Sequence, residues 1–306
     1  MSLVDHFSYG LLTPVLAYIA SAVGCMLGLL LTAKARAATG PERVRWLIGG
    51  ALSIGGTGIW VMHFIAMMGF TVGGGQIRYD VPLTTASALL AVVFVGAGLL
   101  LVSAKGERFG PLLLGGVLTG LGVAGMHYLG LYAMNMSAHV SYDPMLVALS
   151  VLIAIAASTV ALWFTLRTGG TLAAGGAALI MAVAVSGMHY VGMFAMEVHP
   201  RVSVTPVSGA RGIDFMLPTL SVISLLTLGL LLAVILAPSD QEMRDDAELL
   251  AQLERRRGEQ PSPLIAPAAP ASRAAQAVPA PPPAGAPRRP SLFDAADDRR
   301  SGGDGR

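Results

Sequence analysis

Three segments of the chain have nearly the same sequence: Met62-His63-Phe64-Ile65-Ala66-Met67, Met126-His127-Tyr128-Leu129-Gly130-Leu131 and Met188-His189-Tyr190-Val191-Gly192-Met193. Each segment closes a long apolar run, and the three histidines are 64 and then 62 residues apart. Outside these segments the apolar runs contain no Asp, Glu, Lys, Arg or His. Ionisable residues inside a membrane span are costly and mark functional sites. The three imidazoles are therefore the leading candidates for function.

The composition places most of the chain in a lipid bilayer. Hydrophobic residues make up 54% of the 306 residues and charged residues only 12%, about half the charged share of a soluble domain. The apolar residues form seven blocks, and each is long enough to cross a bilayer as a helix. The predicted spans are 8–33, 46–70, 82–103, 111–134, 145–166, 172–196 and 217–237. We therefore expect an all-α, multi-pass membrane protein.

The basic residues between the spans predict the orientation. Cytoplasmic loops collect Lys and Arg. The loops after the first, third and fifth predicted spans contain seven of them, and the alternate loops contain three, namely Arg78, Arg201 and Arg211. This favours an N terminus outside and a C terminus inside. All three Met-His motifs then lie at outer helix ends, and His6, His139 and His199 also fall in outer segments.

The repeat unit is a pair of helices that ends in the motif. Glycine lets helices approach closely in lipid, and Gly24-x-x-x-Gly28 and Gly116-x-x-x-Gly120 fit the small-xxx-small pattern. Helical repeats related by an axis along the membrane normal are a known architecture. We expect a pseudo-threefold bundle with spans two, four and six on the inside.

The sequence divides into a membrane domain and a polar remainder. Residues 1–237 form the predicted seven-helix domain, and Ser239 to Glu242 resemble a capping box that opens a short polar cytoplasmic helix over 238–257. Residues 258–306 are rich in Pro, Ala and Arg, which predicts disorder. We expect no cyclase, phosphodiesterase or kinase domain in this remainder, and no binding of nucleic acid by its arginines.

The motifs offer the donor set of a metal site. Imidazole and thioether together suit copper, and also haem iron. Nine of the 15 methionines lie in the windows 62–70, 126–136 and 188–196. On a helix, residues four or seven positions after a histidine share its face. The candidate metal ligands are Met62, His63, Met67, Met126, His127, Met134, Met188, His189, Met193 and Met196.

These motifs resemble those of the MHYT-domain proteins, which are bacterial integral-membrane sensor modules with about seven helices. The resemblance covers residues 8–237 and implies copper bound by the Met and His of each motif, with Tyr128 and Tyr190 as secondary candidates. It also implies sensing of a diatomic gas such as O2, CO or NO. Two departures are visible: Phe64 replaces the first tyrosine, and Leu129 and Val191 stand where the family motif has Thr. In addition, the second copy has Leu131 where the other copies have Met67 and Met193.

The function expected from this resemblance is a non-enzymatic membrane sensor whose output passes to a cytoplasmic or membrane signalling partner. Three alternatives remain open. The chain could be a membrane anchor or assembly factor for a metalloenzyme, a metal transporter or delivery protein, or a haem-binding redox protein. The inner halves of the spans contain no ionisable residue, which disfavours a transporter.

The predicted orientation can be checked with reporter fusions. Because positive loops stay in the cytoplasm, a fusion at Arg43 is expected to report the inside and a fusion at Ser141 the outside. Paired alkaline phosphatase and green fluorescent protein fusions measure both. The reverse pattern would contradict the orientation and the outer location of the motifs.

Overall fold

The computed structural model describes residues 4–73, 75–106, 108–200, 207–237 and 248–256. It confirms seven long apolar helices. Their bounds are α1 Leu12–Ala37, α2 Gly40–Met67, α3 Val81–Lys105, α4 Phe109–Tyr132, α5 Pro144–Arg167, α6 Thr171–Phe194 and α7 Gly212–Leu236. The chain is therefore an all-α, multi-pass membrane protein.

Helix caps set the starts of α3 and α5, each one residue before the predicted start. The side chain of Asp80 accepts a hydrogen bond from the backbone N–H of Leu83 (2.9 Å) and starts α3. Asp143 does the same at α5 by accepting from Met145 (2.7 Å). An N-cap aspartate satisfies backbone donors that the helix itself leaves free. A proline follows each cap, at a position where a missing N–H costs nothing.

The helices form three pairs, α1–α2, α3–α4 and α5–α6, arranged as a closed ring in which α1 packs against both α2 and α6. Helix α7 lies outside the ring against α1 and α2. The expectation that the three motif helices are the inner ones is correct for α2, the most buried helix. It is wrong for α4, which is less buried than α1, and for α6, which is no more buried than α3. Each motif helix instead directs one face to the ring axis.

Glycines permit the close approach of helices within the ring. A Cβ on Gly24 would lie 2.3 Å from the backbone nitrogen of Gly58 in α2. A Cβ on Gly120 would lie 2.5 Å from the Cα of Ile155 in α5. The hydroxyl of Ser53 donates to the carbonyl of Gly24 (2.8 Å) at the first crossing. Both predicted small-residue patterns therefore mark helix contacts.

Helix α2 contains a feature that the sequence analysis did not predict. Residues Leu52–Val61, directly before the first motif, are π-helical. The wider π turn is rare and is found mostly at functional sites. Here it contains Gly55, Gly56 and Gly58 and sets the rotation at which the first motif meets the ring axis.

Short antiparallel strands connect the helices at the end of the bundle that carries the motifs, called here the motif end. One ribbon pairs β1 (Val4–Asp5) with β2 (Thr71–Val72), and a second pairs β5 (Ala138–Tyr142) with β6 (Met196–Pro200). A three-stranded sheet has β3 (Arg78–Tyr79) between β4 (Met134–Asn135) and β7 (Ala210–Arg211). These strands satisfy backbone groups where the helices stop.

The opposite end carries basic residues that cap neighbouring helices. The guanidinium of Arg36 donates to the carbonyls of Thr165 and Thr168 at the end of α5. Arg43 donates to the carbonyl and hydroxyl of Ser103 near the end of α3. A cation at a helix C terminus is favourable, because the last carbonyls have no partner in the helix.

The C-terminal remainder is described only in part. Residues 248–256 are helical, which agrees with part of the predicted polar helix. The predicted capping box and the tail 258–306 lie outside the described residues.

The crossing of α1 and α2 supplies a stability test. Gly24→Ala places a methyl group against backbone atoms of α2, which cannot move aside as a side chain does by changing its rotamer. Overpacking of this kind lowers the free energy of unfolding by about 1–3 kcal/mol. The thermal unfolding midpoint in detergent is expected to fall. Gly176→Ala is the matched control, because a Cβ there meets nothing within 4 Å. Equal midpoints for the two variants would contradict the described crossing.

Candidate metal centre

The three motif histidines meet on the ring axis, as predicted. The Nδ1 atom of His63 lies 3.0 Å from Nδ1 of His189 and 3.2 Å from Nδ1 of His127. All three residues are at most 1% exposed. They are the one group of three His, Cys, Asp or Glu residues, among the described residues, whose ligand atoms converge as a metal site requires.

The rings are arranged like the blades of a propeller. Their centroids are 4.9–5.1 Å apart, and each pair of ring planes is inclined by 82–87°. The arrangement follows from the repeat, because three equivalent positions on α2, α4 and α6 direct equivalent side chains to one axis. The Nδ1 atoms face the centre, whereas Nε2 of His63 faces Gly130 of α4 and Nε2 of His127 faces Gly192 of α6.

Hydrogen bonds alone do not satisfy this cluster. A neutral imidazole has one N–H and one lone pair. The Nδ1 of His63 either donates or accepts, so it cannot form good bonds to both neighbours. The buried Nε2 atoms of His63 and His127 have no hydrogen-bond partner in the described part of the chain. Each unsatisfied buried group costs about 1–3 kcal/mol.

A metal ion fits the donor set. Tetrahedral or trigonal coordination at about 2.0–2.1 Å places neighbouring ligand nitrogens roughly 3.3–3.6 Å apart. The measured Nδ1 separations of 3.0 and 3.2 Å are only slightly shorter. The ion could then accept the lone pairs of all three Nδ1 atoms at once. No pattern of hydrogen bonds among the three rings achieves this.

Glycines in the motifs make room for the outward half of the rings. A Cβ on Gly130 would lie 2.6 Å from Nε2 of His63, and a Cβ on Gly192 would lie 2.3 Å from Nε2 of His127. Both glycines stand three residues after a motif histidine, where the first copy has Ala66. The small residue of one motif therefore seats the imidazole of another.

The candidate methionines are all buried, but they occupy different surroundings. Met62 packs with Ala17 of α1 and Tyr190 of α6. Met188 lines a cavity on the axis. Met134 and Met196 lie beyond the helices in β4 and β6, while Met67, Met126 and Met193 belong to the main core, as does Leu131. Their role as ligands stays a prediction.

The residues that follow the histidines are not equivalent. The hydroxyl of Tyr128 forms a 2.6 Å hydrogen bond with Ser150 of α5. Phe64 packs on Trp60, with 4.6 Å between ring centroids. The hydroxyl of Tyr190 is buried and has no partner among the described residues. A ligand role for the two tyrosines stays a prediction.

The other three histidines differ from one another. His139 and His199 face each other across the β5–β6 ribbon and are exposed. His6 is instead half-buried between Phe70 and Phe194, at centroid distances of 5.4 and 5.0 Å. Burial lowers the pKa of the His6 imidazole, although Asp5 acts in the opposite direction. Of the three histidines outside the motifs, His139 and His199 are thus exposed, whereas His6 is packed against aromatic rings.

Comparison with known proteins identifies the repeat. Residues 56–115 and 120–178 match the family model described as "MHYT: Bacterial signalling protein N terminal repeat". These matches contain the first two motifs, and the structure adds the third at the same site. The chain is an MHYT-domain protein.

Its relatives are signalling proteins. The chain is 44% identical over 182 residues to the bifunctional diguanylate cyclase/cyclic di-GMP phosphodiesterase MucR of Pseudomonas aeruginosa, covering 58% of this chain and 26% of that protein. It is 36% identical over 196 residues to the cyclic di-GMP phosphodiesterase NbdA of the same organism, covering 60% and 24%. The signaling protein YkoW of Bacillus subtilis is 34% identical over 202 residues, covering 63% and 25%.

The chain spans about a quarter of the length of these curated relatives. No solved structure matches it. The similarity supports a membrane sensor module of a signalling system.

The MHYT domain contains a second repeat that the sequence analysis missed. The buried residues of α1, α3 and α5 follow the same spacing along each helix. Each buried residue of α5 has its buried equivalent in α3 63 residues earlier in the sequence. Examples are Leu99 and Leu162, which correspond to Leu29 in α1. The signal was present in the sequence, but hydrophobic runs hide it because neighbouring positions are also apolar.

A cavity of about 40 Å³ lies on the axis of the MHYT domain, bounded by Met188 and by apolar residues of all six ring helices. Because Met188 precedes His189 on α6, the cavity is on the side of the cluster away from the motif end. A volume of this size accommodates about one small molecule the size of water.

The glycine that seats His127 provides a test of the centre. Gly192→Val is expected to displace the His127 ring and to lower the metal bound per chain several-fold, measured by inductively coupled plasma mass spectrometry. Gly187→Val is the control on the same helix, since a Cβ at Gly187 meets nothing within 4 Å. Equal metal content in the two variants would show that the ring position does not matter for binding.

Proposed function

We propose that this MHYT domain is a membrane sensor that binds a copper ion through the Nδ1 atoms of His63, His127 and His189. The observation that carries the proposal is the convergence of three buried imidazole nitrogens with no satisfactory set of partners. The family supports the sensor part, because its relatives are signalling proteins. Metal occupancy would be the state that the domain reports.

Burial favours a monovalent ion. Three neutral imidazoles contribute no negative charge, and no carboxylate stands in the cluster among the described residues. The cost of burying an ion rises with the square of its charge, so Cu(I) costs about a quarter as much as a divalent ion. Imidazole and thioether donors also suit Cu(I). Methionines at positions adjacent to the histidines are consistent with this choice.

The same geometry argues against the rival functions. Haem would need a slot between two axial imidazoles, whereas these rings are in mutual contact. A metal transporter would need polar groups in the half of the bundle away from the motif end. That half has the apolar axial cavity. An anchor or assembly role for a metalloenzyme has less support than sensing, given the signalling relatives.

Sensing requires an input that distinguishes two states of the domain. The axial cavity is apolar and is lined by Met188, the residue before His189, which suits a diatomic gas such as O2, CO or NO as a ligand of the centre. A ligand shifts an equilibrium only if it binds one conformation more tightly. Helix α2 links the centre through its π-helical stretch to the basic loop at the opposite end.

The output of the domain would pass to a cytoplasmic or membrane signalling partner at that opposite end. This assignment rests on the proposed orientation, in which the basic loops lie in the cytoplasm of a bacterial inner-membrane protein. The domain itself carries no reaction in this proposal: it is a non-enzymatic input module.

Replacing the three histidines tests the proposal. The triple variant His63→Ala, His127→Ala, His189→Ala is expected to lose essentially all bound copper in purified protein, because all three ligands are removed. A version with glutamine at the same positions preserves polarity and most of the side-chain volume, and separates ligation from packing. Metal analysis of both variants provides the measurement.

The control is the double variant His139→Ala, His199→Ala, which is expected to retain its copper because both side chains are exposed. Met→Leu at Met62, Met126 or Met188 is expected to cost less than any His→Ala. Copper retained at the wild-type level in the triple variant would refute ligation by the cluster.

A further inference from the structure

Unpartnered polar atoms are concentrated in one part of the bundle. Seven buried side-chain atoms lack a hydrogen-bond partner in the described residues, and two of them are the cluster nitrogens of His63 and His127. The other five all lie in the segment before α1, in α1 itself or in α6. They are His6 Nδ1, Thr13 Oγ1, Ser21 Oγ, Ser186 Oγ and the hydroxyl of Tyr190.

Several other buried or half-buried helix hydroxyls have partners within their own helix. The hydroxyls of Thr32, Ser87, Ser150, Thr159 and Thr165 each donate to a carbonyl three or four residues earlier in the same helix. A buried polar group without a partner calls for an explanation, and an unseen water molecule is the usual one. The unpartnered hydroxyls of Ser186 and Tyr190 on α6 therefore indicate water at the boundary between α6 and α1, called here the α6–α1 seam.

The threefold repeat shows how this seam differs from the other two. At the seam between α2 and α3, the indole of Trp60 donates to Ser87 (3.0 Å). At the seam between α4 and α5, the hydroxyl of Tyr128 bonds to Ser150 (2.6 Å). The residue in α1 that corresponds to Ser87 and Ser150 is Ala17, which packs near Tyr190.

Two replacements thus loosen the α6–α1 seam. Ala17 removes the hydroxyl that would pair with Tyr190. Ser186, three residues before its motif histidine, stands where α2 has the much larger Trp60. The α6–α1 seam therefore has less side-chain volume than the α2–α3 seam. In place of the bonded Tyr128–Ser150 pair of the α4–α5 seam, it has two hydroxyls, those of Ser186 and Tyr190, without a partner in the described residues.

An imidazole lies over the motif end of this seam. The segment that carries His6 is held by β1–β2 pairing and by Ser8, whose hydroxyl donates to the carbonyl of Gly69 (2.8 Å). His6 contacts Phe70 beyond α2 and Phe194 at the end of α6. Its neighbour Phe7 contacts Tyr190, with 5.7 Å between ring centroids.

The seam leads to the centre. Met62 of α2 and Tyr190 of α6 line it, and each is next in sequence to a cluster histidine. The rings of Tyr190 and His189 are 5.0 Å apart. We propose that the α6–α1 seam is the hydrated entrance to the three-histidine centre, with His6 as the ligand that captures the metal ion at its mouth. This proposal rests on the proposed metal function.

Loading kinetics test the role of His6. Purified, metal-free protein is mixed with Cu(I) held by bicinchoninate, and transfer is followed by the loss of the chelator's colour. His6→Ala is expected to load several-fold more slowly than wild type and to reach the same final copper content. His139→Ala is the control and is expected to load at the wild-type rate. Equal loading rates for the two variants would overturn the capture role of His6. If the triple histidine variant also kept its full copper content, the metal function itself would be overturned.

Cysteine labelling tests the water-filled seam without any metal. Ser186→Cys is expected to react with a charged, water-soluble methanethiosulfonate reagent. Ala124→Cys is the matched control at the same position of α4 and is expected to stay unreacted, with wild type giving the background of the buried Cys25. Adding Ala17→Ser to Ser186→Cys restores the missing partner of Tyr190 and is expected to slow labelling several-fold. Equal labelling of the cysteines at 186 and 124 would overturn the entrance.

Discussion

The three-histidine cluster imposes the constraint on which the rest of the structure depends. Three polar rings are buried in an apolar membrane domain with their Nδ1 atoms 3.0 and 3.2 Å apart. Hydrogen bonds among the rings cannot satisfy all of their nitrogens. The fold must therefore hold the rings together despite the free-energy cost of the unsatisfied nitrogens. The copper ion that we propose would resolve this conflict, because it would accept all three lone pairs. The cluster is therefore best explained as a site built for a ligand.

The helix pairs and their glycines provide the rigid frame for this cluster. Gly130 and Gly192 leave space for the imidazoles of His63 and His127, and Gly24 brings α1 against α2. A packed frame of this kind has few intermediate arrangements, because interiors do not deform continuously. In the proposed function, this frame would couple occupancy of the centre to the helix positions, which is the property that a sensor needs.

The sequence was sufficient for the features that depend on composition and on the repeat. Apolar block length predicted seven helices, and equivalent positions predicted the meeting of His63, His127 and His189. Features that depend on tertiary packing were missed. The π-helical turns before the first motif, the burial of His6 between Phe70 and Phe194, and the replacement of a serine by Ala17 emerge only when helices are placed side by side.

X-ray absorption at the copper edge of the loaded, purified protein tests the central claim most directly. The account predicts a first shell that contains three imidazole nitrogens at about 2.0 Å, recognised by the multiple scattering of the rings. That shell should be the same in protein that carries alanine at both His139 and His199. A shell with fewer than two imidazoles, or one that changes with those exposed histidines, would contradict a metal centre formed by His63, His127 and His189.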